Sequence, residues 1–309
     1  MQKYRASNQM SFGGFILLLV LAIIAGAALG GIMFALDYYL HFYLILLFPL
    51  VGGAIAGGLL ARGVYTSKVR SPFVAGLIGL LCGVLMYGVY HAASYYIGFR
   101  TDMRAAYVKN AGEEPTDAQF NKALDELLQE DVGDTGIMGY LKETAKEGIT
   151  ITSTSSYGSS SSTDTLKGNL VWGYYGVEIL LAGFIAAGIA GAAAGQPFDE
   201  DAGEWYGPAM FFASAGKKSR KELLNALKVG DFQQAGALLT QQDIKYPRIN
   251  MNIRRSRSGS NTQDVFVQLT YNTRRNRPNN LKKGVITTSD FESLQRGMNQ
   301  AVANPSPTK

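Results

Sequence analysis

Four uninterrupted apolar stretches, residues 12–36, 38–61, 72–98 and 170–195, decide what this chain can fold into. A helix rises about 1.5 Å per residue and the hydrocarbon core of a bilayer is about 30 Å thick, so about 20 apolar residues are enough to cross it. Each stretch is long enough, which excludes a simple soluble enzyme. A disulfide scaffold is excluded too, because Cys82 is the only cysteine and lies inside the third stretch. Lys3, Arg5 and the small residues Ala25-Gly26-Ala27 also fit a cleaved leader, but apolarity continues through Leu36 and the run reads as a span. The expected fold class is a membrane all-α four-helix bundle with a small outward helical segment and a cytoplasmic α+β C-terminal domain. The expected boundaries are 1–98 for the N-terminal tail and first three spans, 99–168 outside, 169–195 for the fourth span and 196–309 for the basic tail.

Orientation follows from Lys and Arg in the short connections. The N-terminus has Lys3 and Arg5, and the link between the second and third stretches has Arg62, Lys68 and Arg70. The link from Asp37 to His41 has neither Lys nor Arg. Residues 99–168 carry 7 basic and 12 acidic side chains, and the part after 195 carries 17 and 10. Both termini are therefore expected in the cytoplasm. Tyr38, Tyr39, Tyr43, Tyr95, Tyr96, Trp172, Tyr174 and Tyr175 would then mark the outer headgroup level. Ser71-Pro72 has the form of an N-cap with proline in the first turn, and Pro49 should kink the second span.

Small residues let helix backbones approach closely in lipid. Gly26 and Gly30, Gly53 and Gly57, Gly79 and Gly83, and Gly191 and Gly195 repeat every four positions and are expected at helix contacts. Two longer ladders, Ala75-Gly79-Gly83-Tyr87-His91 and Glu178-Ala182-Ala186-Ala190-Ala194, each end in an ionisable group. The preferred reading is a tightly packed bundle, ahead of a pore lined by glycine.

Glu178 is the only acidic side chain well inside a span, about 12 Å below its outer end, and His91 lies at about the same depth on the third span. Packing the two ladders antiparallel would bring them together, with Asp37 and His41 completing a ring of two imidazoles and two carboxylates. An ionisable group at such depth suggests a proton relay, an ion site or a substrate contact. The alternative is structural: Glu178, protonated or bonded to His91 or a tyrosine hydroxyl, holds two helices in register. Only Asp37 and His41 have helical ligand spacing, so no metal and no cofactor is expected.

In the outward segment, Thr116 to Gln119 has capping-box spacing, and Phe120, Ala123, Leu124, Leu127 and Leu128 share a helix face. A second helix should run through Met138, Leu141 and Ala145. The Ser/Thr-rich stretch 150–165 reads as a mobile linker. No phosphate loop, nucleophile elbow or paired-His motif occurs, so no enzymatic activity is expected.

After the last span comes Pro197-Phe198-Asp199-Glu200-Asp201-Ala202-Gly203-Glu204-Trp205. This segment resembles one in bacterial multi-pass membrane proteins of no assigned activity, which carry Pro-Phe-Cys-x-x-Cys-x-x-Trp there and a Glu in the final helix, as at Glu178. The segment Gly139-Tyr140-Leu141-Lys142 is similar as well. Asp199 and Ala202 stand at the two cysteine positions, so a thiolate metal site cannot form in this chain. The resemblance implies a bacterial, multi-pass, inner-membrane protein and brings no activity.

Lys217, Lys218, Arg220 and Lys221 open an amphipathic helix with Leu223, Leu224 and Leu227 on one face, expected to lie against anionic lipid headgroups or a protein partner. Residues 226–235 are similar to half of a tetratricopeptide helix pair. Alternation at Ile249, Met251 and Ile253 and at Val265, Val267, Leu269 and Tyr271, around 258–261, predicts a hairpin. Arg254, Arg255 and Arg257 near its tip are further lipid or partner contacts. Arg274, Arg275 and Arg277 lie at the opposite end, and no aromatics interleave, a pattern that does not suit nucleic acid. Lys282 to Glu292 resembles the strand-to-helix step of short self-association domains. The expected function is a non-catalytic scaffold or accessory subunit that organises a protein partner or a homo-oligomer at the bilayer. The alternative is an oligomeric transporter or channel using the His/Glu cluster.

Overall fold

The computed structural model describes residues 1–41, 46–154, 161–242, 244–256, 264–274 and 278–303. The chain divides into two compact units, Met10–Ala194 and a second made of Met1–Gln9 with Gly195–Lys309. A short strand β1, Gln2–Lys3, belongs to the second unit. The first unit begins with helices α1 (Phe12–Leu40), α2 (Leu47–Ser67) and α3 (Pro72–Ala93). A π-helical turn, Ser94–Phe99, continues α3 into α4, Arg100–Ala111. Helices α5 (Asp117–Val132) and α6 (Gly136–Glu147), strands β2 (Ile149–Thr154) and β3 (Ser161–Leu166), and helix α7 (Asn169–Ala194) complete it. Among the described residues, four helices, α1, α2, α7 and the continuous Pro72–Ala111, are long and apolar enough to cross a membrane.

Helix ends differ from the expected span limits in ways that relocate several residues. Asp37 lies in the last turn of α1 and not in a turn, because the helix runs on to a left-handed cap at His41. Pro49 is the third residue of α2, where an amide hydrogen has no intrahelical acceptor, so the expected kink has no cause. Arg62 lies inside α2, which leaves Lys68–Ser71 as the link to α3. Ser71 accepts from the Val74 amide at 3.5 Å with Pro72 in the first turn.

Of the eight glycines in the four-residue pairs, all but Gly195 meet another helix. A Cβ on Gly26 would meet the Cys82 carbonyl at 3.0 Å, and one on Gly30 the Met86 carbonyl at 2.3 Å, so α1 rides on α3. Gly53 faces the Ala182 carbonyl at 2.7 Å and Gly57 the Ile189 side chain at 2.8 Å, which seats α2 on α7. Gly79 and Gly83 meet the Ala187 and Gly183 backbones at 2.6 and 2.5 Å, and Gly191 the Pro72 carbonyl at 3.1 Å, so α3 and α7 run antiparallel in contact. Gly195 lies beyond the end of α7.

In the segment after the π turn, Thr116 and Gln119 form both bonds of the capping box. Phe120, Leu124 and Leu128 are buried against Phe99 and Met103, while Leu127 is exposed. Lys142 reaches Asp134 at 3.0 Å and Lys146 pairs with Asp131, which joins α6 to α5. The expected linker is instead a hairpin: β2 and β3 pair antiparallel from Ile149 opposite Leu166 to Thr154 opposite Ser161. Alternating Ile and Thr from Ile149 to Thr152 favour extended backbone.

The second unit contains β4 (Phe198–Asp199), β5 (Glu204–Trp205), β6 (Met210–Gly216), α8 (Arg220–Val229), α9 (Phe232–Ala237), β7 (Arg248–Arg254), β8 (Val265–Asn272), β9 (Asn279–Ile286) and α10 (Thr288–Ala303). Its antiparallel sheet has the order β1-β9-β8-β7-β6. The predicted hairpin is β7 and β8, with Ile249, Met251 and Ile253 opposite Tyr271, Leu269 and Val267. Its tip, including Arg257, lies outside the described residues, as do Tyr43, Arg275 and Arg277. The same face of β7 and β8 forms a core with Leu223, Leu227, Phe232, Phe291, Leu294 and Met298. The apolar side of α8 is thus occupied, so α8 cannot also lay Leu223 and Leu227 into a lipid surface. Helix α9 packs on α10, not as part of a helical repeat with α8 alone: a Cβ on Gly236 or Gly297 would lie 2.0 Å from the Leu294 or Gln233 carbonyl.

Candidate functional site

Three of the four ionisable residues expected to form a ring, Glu178, His91 and Asp37, each stand beside a tyrosine. Tyr174 donates its hydroxyl to Glu178 Oε1 one turn along the same helix, and Glu178 is buried. His91 does not meet Glu178. Its ring stands edge-on to Tyr175 at 4.7 Å and to Tyr90 at 5.0 Å, and its Nε2 is buried without a hydrogen-bond partner among the described residues. The register explains the miss, since Gly83 opposite Gly183 places His91 against Tyr175, almost a turn from Glu178. The Tyr90 hydroxyl donates to Asp37 Oδ2 at 2.7 Å. The expected ring does not form: Glu178 meets Tyr174, His91 meets Tyr175 and Asp37 meets Tyr90, while His41 joins none of these pairs.

Asp37 and His41 line a cavity of about 630 Å³, together with Phe34, Tyr38, Tyr39, Ser94, Gly98, Phe99, Asp102 and Tyr140. Four elements build it: the end of α1, the π turn, α4 through Asp102, and α6 through Tyr140. Gly98 sits where a Cβ would press the Tyr38 ring at 3.3 Å, so the absence of a side chain at residue 98 eases the close approach of the π turn to α1. Tyr140 lies 5.1 Å from Phe99, and burial raises its phenol above the ordinary value, with Asp37 adding to the shift and bonds to Thr144 and Ser94 opposing it. Sequence reading finds Asp37 and His41 but misses Tyr90, Ser94, Asp102 and Tyr140. The available signal was Tyr90 beside His91. A π turn leaves no mark in hydropathy.

In the second unit, Lys217, Lys218 and Lys221 are exposed. Arg220 stacks over Tyr271 at 5.1 Å, Arg255 lies 5.3 Å from the Phe291 ring centre, and Arg254 donates to Gln196 Oε1 at 3.1 Å. These three arginines thus have contacts within the unit. In the segment 197–205, Asp199 Oδ1 accepts from the amides of Asp201 and Ala202 at 3.1 and 3.0 Å, which closes the turn between β4 and β5. Phe198 and Trp205 meet edge-to-face at 5.0 Å. Among the described residues, no group of three or more His, Cys, Asp or Glu is arranged to hold a metal ion. Comparison with protein-family models, with curated proteins and with solved structures finds no match.

Proposed function

We propose that the chain is a non-catalytic integral membrane scaffold or accessory subunit, carrying its α+β unit on four membrane-spanning helices. The observation that supports this reading best is the backbone contact of Gly79 and Gly83 with Ala187 and Gly183, a seam with no room for a lumen between α3 and α7. The α+β unit has its own core, and the lysines at the start of α8 remain available to anionic headgroups or an acidic partner. The pairing of β1 with β9 supports placing both ends of the chain on one side of the membrane. The basic connections then favour the cytoplasmic side of a bacterial inner membrane. The test is extraction from the native membrane in mild detergent, followed by the mass and composition of the complex. A stoichiometric foreign subunit is the expected result, and a monomer free of partners would overturn it.

A second reading, an oligomeric transporter or channel, draws on the buried Glu178 and the unpartnered Nε2 of His91. A pure homo-oligomer whose proton or ion flux in liposomes is abolished by Glu178→Gln would favour it.

A further inference from the structure

The cavity at the end of α1 has a chemistry that the scaffold reading does not use. Its acidic groups are Asp37 and Asp102. Asp37 engages Oδ2 with the Tyr90 hydroxyl, and neither Asp37 nor Asp102 forms an ion pair among the described residues. His41 is the only Lys, Arg or His among the lining residues. Five aromatic rings form the remaining wall. Phe34 and Tyr38 stack at 5.3 Å, Tyr39 stands edge-on to Tyr38 at 5.0 Å, and Phe99 leans on Tyr140 at 5.1 Å.

Carboxylates that form no ion pair among the described residues, set among aromatic rings, select a particular class of ligand. An anion is repelled. A hard metal ion needs several oxygens converging on one point, which this cavity does not offer. A quaternary ammonium has no N–H to hydrate, is attracted by aromatic rings as well as by carboxylate, and is large enough for such a space. We infer that the cavity lined by Asp37, Asp102, Phe34, Tyr38, Phe99 and Tyr140 binds an organic ammonium group. Asp37 supplies the countercharge and the rings enclose the substituents. The ammonium has two sources, a free small molecule or the headgroup of a choline lipid.

The test is calorimetric titration of the full-length, delipidated protein in a zwitterion-free detergent with tetramethylammonium chloride, using sodium chloride at matched ionic strength as the blank. Saturable binding at one site per chain is expected. Asp37→Asn should weaken it about tenfold or more, and Phe99→Leu, which removes a ring, by about fivefold. Should Asp37→Asn fail to fold, Asp102→Asn replaces an exposed carboxylate that has no hydrogen bond or ion pair among the described residues, and should weaken binding severalfold with an unchanged circular dichroism spectrum. Heat no larger than the sodium blank, or affinity unchanged in both Asp variants, would overturn the inference. In nanodiscs, loss of tetramethylammonium binding in phosphatidylcholine but not in phosphatidylglycerol identifies the lipid headgroup as the source. Binding retained in both identifies a free ligand.

Discussion

Gly83 of α3 and Gly183 of α7 pass so closely that a Cβ on Gly83 would lie 2.5 Å from the Gly183 Cα, while a Cβ on Gly183 would meet only the Leu80 side chain and backbone at 3.2 Å and beyond. The contact is thus asymmetric. Gly83→Ala must push the two backbones apart and should cost about 1–3 kcal/mol. Gly183→Ala, where a leucine can rotate, should cost less. Gly88, with nothing within 4 Å of its Cβ position, should gain up to about 1 kcal/mol on substitution by Ala. Thermal unfolding of the three variants in one detergent checks the order, and equal effects at 83 and 88 would contradict the register described above.

Tyr174 and Glu178 make a matching test one turn apart. Tyr174→Phe removes the donor to a buried carboxyl group and should cost about 1–3 kcal/mol. Glu178→Gln keeps an oxygen for the tyrosine to donate to, so its loss should be the smaller. Denaturant titration of both variants decides, and a glutamine variant less stable than the phenylalanine one would show that the charge, not the hydrogen bond, matters.

In the second unit, the α9 and α10 backbones cross at Gly236 and Gly297. Gly297→Ala puts a methyl group 2.0 Å from the Gln233 carbonyl, against main chain that cannot rotate aside, and should destabilise by about 2–3 kcal/mol. Calorimetry of the full chain should show this as a lower transition for the α+β unit. The exposed Val302 on the same helix offers a neutral control, Val302→Ala.

Acid should loosen α6 from α5. The Lys146 ammonium holds the Asp131 carboxyl below its usual value, and Lys142, with the Thr135 amide, does the same for Asp134. Depressed carboxylates stabilise the fold above their unfolded pKa of about 3.9, and that contribution disappears as pH falls through the folded values. Glu143 acts in the opposite sense, because burial and then Asp131 raise its carboxyl. Hydrogen exchange of residues 136–147, corrected for intrinsic rate, should show protection falling below about pH 4. Lys142→Ala with Lys146→Ala should abolish that step.

Hydropathy made the long helices legible, and four-residue glycine spacing pointed to the faces that meet, since both patterns are periodic in sequence. Period-two alternation likewise gave β7 and β8, and the Thr116 capping box is a purely local device. Features that depend on distant chain were not legible. The meeting of His91 with Tyr175 rather than Glu178 is a shift of less than one turn, fixed by how deeply Gly83 seats on α7. The cavity around Asp37 needs the π turn at Ser94–Phe99 and Gly98 against Tyr38, neither of which any single segment announces. The Thr150–Thr165 composition suggested a linker because hydrogen bonds between strands require no apolar residues. Lys3 was read for its charge alone, and its backbone pairing with Gly284 has no local signature.

That pairing gives the chain a timetable. Gln2 and Lys3 leave the ribosome before any of the long helices, yet the strand they complete is made about 280 residues later. Closing so long a loop costs little more in entropy than closing one half as long, about 0.6 kcal/mol, so the separation scarcely affects the finished fold. It governs birth order instead. The edge of the sheet waits through the synthesis of every apolar helix, and only a ribosome that has read past Val285 can release it from waiting.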